Sequence, residues 1–178
     1  EGSTDFCGYA VTELSSEIIG LYSSGEAVDS VSEGTDVALI LAQTAFYAES
    51  GGQIGDKGLL TKGKSVIAIS DCRRVGNHHL HIGQVVSGQF NIADQVNGSV
   101  DETQRRGVTL NHSATHLLHE ALRQVLGEHV HQKGSLVNHE RLRFDFSHGE
   151  AVTSEQIRRI EHIVNAQVLK NTEVTTDV

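Results

Sequence analysis

The chain has 178 residues, enough for one ordinary domain or two small ones. Apolar residues make up 38 %, spread through periodic segments, and no run approaches the ~18 apolar residues of a membrane span. The net charge is −9 and uneven: residues 1–100 carry 12 acidic against 5 basic side chains, and residues 101–178 carry 11 against 9 together with 8 of the 11 histidines. The first part therefore repels a polyanion, and any such contact is expected at a local basic face in the second or in regions outside this chain.

The first residue is Glu1 and methionine is absent, so the chain reads as an internal piece of a longer protein. No secretory leader is recognisable. Cys7 and Cys72 lie far apart and outside any Cys-x-x-Cys pair. Both are read as small buried apolar residues in a reducing cytosol, which gives a cytoplasmic location with no membrane partner.

The first hundred residues read as short strands and turns. Val37–Leu41 is a short apolar run, Ser65–Ser70 is rich in β-branched residues, and His79–Val86 alternates apolar with polar. Glycines recur between them, and short strands at this spacing point to a small β-barrel. From about Thr103 the period changes. Ala114, Leu117, Leu118, Ala121, Leu122 and Val125 predict an amphipathic helix over 111–126, stopped by Gly127. Strands are expected at 130–137 and 142–147. Thr153-Ser-Glu-Gln156 reads as a capping box, opening a helix to about Lys170. Residues 173–178 are β-prone. The class is α+β, with a β-barrel subdomain at 1–102 and, at 103–178, a helix packed on an antiparallel sheet, incomplete at the C-terminus.

Asn111-His-Ser-Ala-Thr-His116 is the sharpest local signal. His112 and His116 stand four apart on the predicted helix, which puts both imidazoles on one face, able to share one metal ion. Two surface or capping histidines fit the same spacing. Ser113 occupies the place of the catalytic Glu in His-Glu-x-x-His, so the metalloprotease pattern does not apply. His78, His79 and His81, and His129 with His131 on one strand face, are read as exposed polar positions, with metal binding as the alternative.

The second signal is Phe46-Tyr-Ala-Glu-Ser-Gly-Gly-Gln-Ile-Gly-Asp56, whose paired glycines permit a tight turn or close approach to a ligand. It lacks the Gly-Lys-Ser/Thr ending of a P-loop.

Extended to Gly58, this second segment resembles the glycine motif of the alanyl-tRNA synthetase editing region. Leu110-Asn-His-Ser-Ala-Thr-His-Leu-Leu-His119 is similar to its first metal motif, and Gln132-Lys-Gly-Ser-Leu-Val137 with Leu142-Arg-Phe-Asp-Phe-Ser147 resembles the strands that follow. The three occur in the family's order; free-standing trans-editing proteins and threonyl-tRNA synthetases share a weaker version, and the Ser-Gly-Gly-Gln form with the long run through Ser147 favours alanyl-tRNA synthetase, of the bacterial type. The resemblance implies hydrolysis of the ester joining serine or glycine to tRNA(Ala), assisted by zinc held on His-x-x-x-His and a later Cys-x-x-x-His. His112 and His116 match the first pair; the chain ends before the second, so the zinc site is incomplete in it. By the same resemblance Thr115 and Gln132 line the catalytic pocket, and Gly51, Gly52 and Gln53 approach the substrate. Lys133, Arg141 and Arg143 are expected to meet the phosphates of the tRNA acceptor end. The implied partners are tRNA(Ala) and the remainder of the synthetase chain, which would use ATP and Mg²⁺ to attach alanine. A free-standing trans-editing deacylase and a non-catalytic tRNA-docking module are the alternatives.

Overall fold

The computed structural model describes residues 3–172. Eleven strands come first: β1 (Asp5–Phe6), β2 (Glu13–Ser23), β3 (Glu26–Ala27), β4 (Ser30–Ser32), β5 (Asp36–Leu41), β6 (Gln43–Thr44), β7 (Gly58–Lys62), β8 (Ser65–Val75), β9 (His78–Ser87), β10 (Gln89–Asn91) and β11 (Gln95–Val100). Helix α1 (Glu102–Leu126), the hairpin β12 (Gln132–Val137) and β13 (Leu142–Phe146), and helix α2 (Ser154–Lys170) complete the order. The chain divides into two compact units after Arg106.

In the first unit, six antiparallel strands close into a barrel. The order β11-β7-β8-β9-β5-β2 returns on itself where Gln95–Ser99 of β11 pair with Glu13–Glu17 of β2. The short β3 extends the sheet beside β2. Register shifts between Ile18 and Gly20 and between Ile69 and Asp71 add the local twist that closure needs. Alternation then does the packing. Val37, Leu39 and Leu41 of β5, Ile67 and Ile69 of β8, and Leu60 and Val96 turn inward around Phe46 and Phe90. The three strands expected here are all present, each longer than expected. Strand β2 was not legible, because Ser16 occupies an inward position and the register shift after Ile18 leaves Gly20 and Leu21 both buried, which breaks the alternation.

His81 departs from expectation. It is fully buried in the barrel instead of exposed, edge-on to Phe46 at 5.3 Å. Its ring nitrogens meet the Thr44 hydroxyl at 2.8 Å and the Leu39 carbonyl at 3.3 Å. Burial makes the charged form costly there and pushes the imidazole down to about 4. His78 and His79 are half-buried beside it. Cys72 is wholly buried as expected, and burial raises its thiol far out of the reactive range; Cys7 is only partly covered.

The second unit rests on a smaller core. Ala121, Leu122, Val130 and Ile160 are buried, with Leu118, Phe144, Phe146 and Ile163 packed against them. Thr153 caps α2 as expected: its side chain accepts from the Gln156 N–H at 3.2 Å, and the Gln156 side chain accepts from the Thr153 N–H at 2.8 Å. Asn171 ends that helix in the left-handed conformation. The α+β class, with a barrel and a helix packed on an antiparallel sheet, is as the sequence implied. The β-prone segment 173–178 lies outside the described residues.

Helix α1 begins nine residues before the predicted start. Asp101 explains the earlier start, since its carboxylate accepts from the Gln104 N–H at 3.0 Å and from the Gln104 side chain at 3.1 Å. Gly107 obscured this stretch, and its role is contact rather than flexibility: a Cβ there would come within 2.8 Å of the His139 carbonyl oxygen.

Two outcomes follow for stability. His81 is neutral when folded and protonates near pH 6.5 when unfolded, so its contribution is fully present above pH 6.5 and is lost as pH falls toward 4. The loss is on the order of 3 kcal/mol and should disappear from urea titrations of His81→Gln. Gly107→Ala normally gains about 1 kcal/mol in a helix; here it should destabilise, and a raised melting temperature would contradict the packing against His139.

Candidate functional site

The paired histidines lie where the helix predicts. The rings of His112 and His116 stack with centroids 5.1 Å apart and planes at 19°. His116 is exposed and His112 half-buried. Burial first, and the neighbouring His116 second, hold His112 below its ordinary 6.5, which keeps it neutral at pH 7 as a metal ligand must be. The pair supplies two nitrogen donors suited to zinc. Among the described residues no third His, Cys, Asp or Glu joins them in a metal-holding group. Donor chemistry therefore fits half of a tetrahedral shell.

The helix also anchors the hairpin. The Asn111 amide donates to the Asn138 carbonyl at 2.8 Å, and the Asn138 side chain accepts the N–H groups of Glu140 and Arg141, closing the β12–β13 turn. One turn further along, His119 meets Phe144 with centroids 5.1 Å apart. His112, His116 and His119 thus follow one face of α1 at spacings of four and three. His119 was not singled out from the sequence, although that spacing identifies it; its Nε2 is buried with no hydrogen-bond partner among the described residues.

Thr115 is buried and donates to the Asn111 carbonyl at 2.8 Å, a back-bond typical of helical threonine. Its oxygen keeps acceptor capacity. Gln132 is exposed, and its amide donates to the Ser135 hydroxyl at 3.1 Å. Ser135 pairs across the hairpin with Phe144, so Gln132 is drawn toward the level of the Phe144–His119 contact. Arg143 alternates with Phe144 and points to the opposite face of the hairpin, paired with Asp145 at 3.2 Å. Lys133 and Arg141 are exposed, the latter in the turn. His129 and His131 are exposed as expected but precede β12 rather than lying in it, and His129 bonds to His148 at 2.9 Å.

The glycine motif lies in the first unit. Ser50 and Gln53 exchange backbone hydrogen bonds at 3.1 and 3.0 Å around Gly51 and Gly52. Both glycines have positive φ, 60° and 86°, which a two-residue hairpin of this hand requires. Gln53 is buried, and Gly51 is exposed. Asp56, 5 % exposed, receives the Tyr47 N–H at 2.6 Å and is clasped by Arg105. Arg105 Nε lies 3.0 Å from both carboxylate oxygens, Nη1 donates to the Gly8 carbonyl at 2.8 Å and Nη2 to the Ala45 carbonyl at 2.7 Å. No local pattern marked Arg105, because its partners are 49 to 97 residues away.

Residues 1–104 match the family model described as tRNA synthetases class II (A). The chain belongs to this family. Among curated relatives of the synthetase family, it is 51 % identical over 176 residues to an alanine–tRNA ligase of Pseudomonas entomophila, covering 99 % of the chain. It is 53 % identical over 175 residues to the alanine–tRNA ligase of Pseudomonas syringae, covering 98 %. The chain spans 20 % of the length of each relative. The kinship with alanyl-tRNA synthetases expected from the motifs is thereby borne out. No helix among the described residues is long and apolar enough to cross a membrane.

Removing Arg105 strands the buried Asp56 carboxylate. Arg105→Ala should cost about 3–5 kcal/mol in urea denaturation, whereas Arg143→Ala, whose pair with Asp145 is exposed, should change stability by less than about 1 kcal/mol.

Proposed function

We propose that the chain is the editing part of an alanine–tRNA ligase, hydrolysing the aminoacyl ester of Ser-tRNA(Ala) or Gly-tRNA(Ala). The observation that carries this reading is the stacked pair His112–His116 on α1, within a stretch 51–53 % identical to proteins named alanine–tRNA ligase. That naming favours the synthetase over a free-standing deacylase. The acidic balance of the chain speaks against a module that only docks tRNA. The whole polypeptide would act in the cytoplasm, attaching alanine to tRNA(Ala) with ATP and Mg²⁺.

The need for editing is one of size. A pocket shaped for alanine cannot exclude glycine by bulk, and it rejects serine, larger by one hydroxyl, only weakly. A second site has to remove both errors. His112 and His116 would hold two positions of the zinc shell, with the other two donors supplied from outside the described residues. When bound, zinc polarises an ester carbonyl or binds the substrate amine, or lowers the pKa of a water. The Thr115 oxygen accepts a hydrogen bond from the substrate's small side chain or from water. The Gln132 amide, once released from Ser135, orients the ester. The remaining contacts are assigned to Gly51, Gly52 and Gln53, and to Lys133, Arg141 and Arg143 at the acceptor-end phosphates.

In the full-length enzyme His116→Ala should abolish deacylation of Ser-tRNA(Ala) and lower bound zinc. The loss should exceed the roughly 10–100-fold that a residue merely supporting a metal ligand costs. Alanylation should continue. Retention of full deacylation by this variant would overturn the assignment.

A further inference from the structure

Aromatic side chains are scarce in this chain: five phenylalanines, three tyrosines and no tryptophan. Three of these eight meet at one place in the first unit. Phe6 touches Tyr9 edge-on at 5.0 Å and Tyr47 at 6.1 Å, and the His79 ring lies 5.2 Å from Phe6. Together with Ser50 and Arg74 they line a cavity of about 170 Å³. Tyr9 is 88 % exposed, a large aromatic face left in water.

The pocket is built rather than accidental. The Tyr9 turn is closed by hydrogen bonds from Ala10 and Val11 to the Cys7 carbonyl, at 3.0 and 3.2 Å. Arg105 holds the Gly8 carbonyl on one side and Asp56, at the end of the glycine motif, on the other. Both rims of the pocket thus hang from one guanidinium. The Phe46 carbonyl accepts from His79 Nδ1 at 3.1 Å, and burial holds that ring below its ordinary 6.5. A neutral His79 bonded through Nδ1 offers Nε2 only as an acceptor. Arg74 has no carboxylate partner among the described residues, unlike Arg73, which pairs with Asp71 at 2.7 Å.

Aromatic faces at mutual angles, an acceptor nitrogen and one unpaired arginine suit a planar heterocycle on a charged, flexible strand. We propose that this pocket takes one unstacked base of a single-stranded RNA end, stacked on Tyr9, with Arg74 on the adjoining phosphate. The proposal rests on the reading that RNA is the partner and adds a site that reading does not contain. The net acidity of this unit limits backbone contacts, so stacking carries the affinity and few counterions are released.

The test uses the full-length polypeptide and a pentaribonucleotide ending in 2-aminopurine, whose fluorescence falls on stacking. Quenching is expected for the natural sequence and for Tyr9→Phe. In Tyr9→Ala the affinity should drop roughly 5- to 150-fold, the range of one base–aromatic contact. The logarithm of affinity should fall with that of salt at a slope near −0.7, as one phosphate contact on a single strand gives, and Arg74→Gln should flatten it. Unchanged quenching in Tyr9→Ala overturns the proposal, as does displacement of the oligonucleotide by a proline-rich peptide that binds more tightly. His116→Ala separates the two readings: it removes deacylation and should leave the quench intact.

Discussion

Arg105 and Asp56 form an ion pair out of reach of most water, and the architecture of the first unit converges on it. Asp56 is almost wholly buried, and a carboxylate there is tolerable only with its charge matched and its oxygens bonded. Arg105 does both, and spends its remaining N–H groups on the carbonyls of Gly8 and Ala45. Three segments far apart in sequence therefore share one guanidinium. A lysine could not replace it, because a single ammonium lacks the planar fork that reaches a carboxylate and two carbonyls at once.

The second unit is organised differently. Its core is small, and much of its order comes from polar ties along one helix. Asn111 precedes His112 directly and fixes the turn of the hairpin, while His119 meets the middle of the same hairpin through Phe144. The paired imidazoles lie between these two anchors. Their orientation is thus set by residues on either side of them in the same helix, a rigid mount of the kind that metal ligands require.

What the sequence revealed was local. An apolar run exposed β5, β-branched residues exposed β8 and alternation exposed β9; helical spacing exposed the later part of α1, from Asn111 on, and Thr153 with Gln156 announced α2. His-x-x-x-His was legible because a helix turns predictably. Features that depend on distant contacts were not. Ser16 inside the barrel and the shift at Ile18 hid β2; Gly107 hid the start of α1, although the His139 backbone is what requires it. His81 sits in an alternating strand that reads as polar, yet Thr44 and the Leu39 carbonyl, 37 and 42 residues away, make its burial possible. The glycine motif was recognised, but its tie to Arg105 lies in the fold alone.

Closure of the barrel has a consequence for the order of events on the ribosome. Glu13 of β2 pairs with Ser99 of β11, so the earliest long strand is completed by the latest. While the chain grows from Glu13 to Ser99, one edge of β2 has no neighbour. At a synthesis rate of about 5–20 residues per second, that edge waits several seconds, long enough for a chaperone or a second nascent chain to find it.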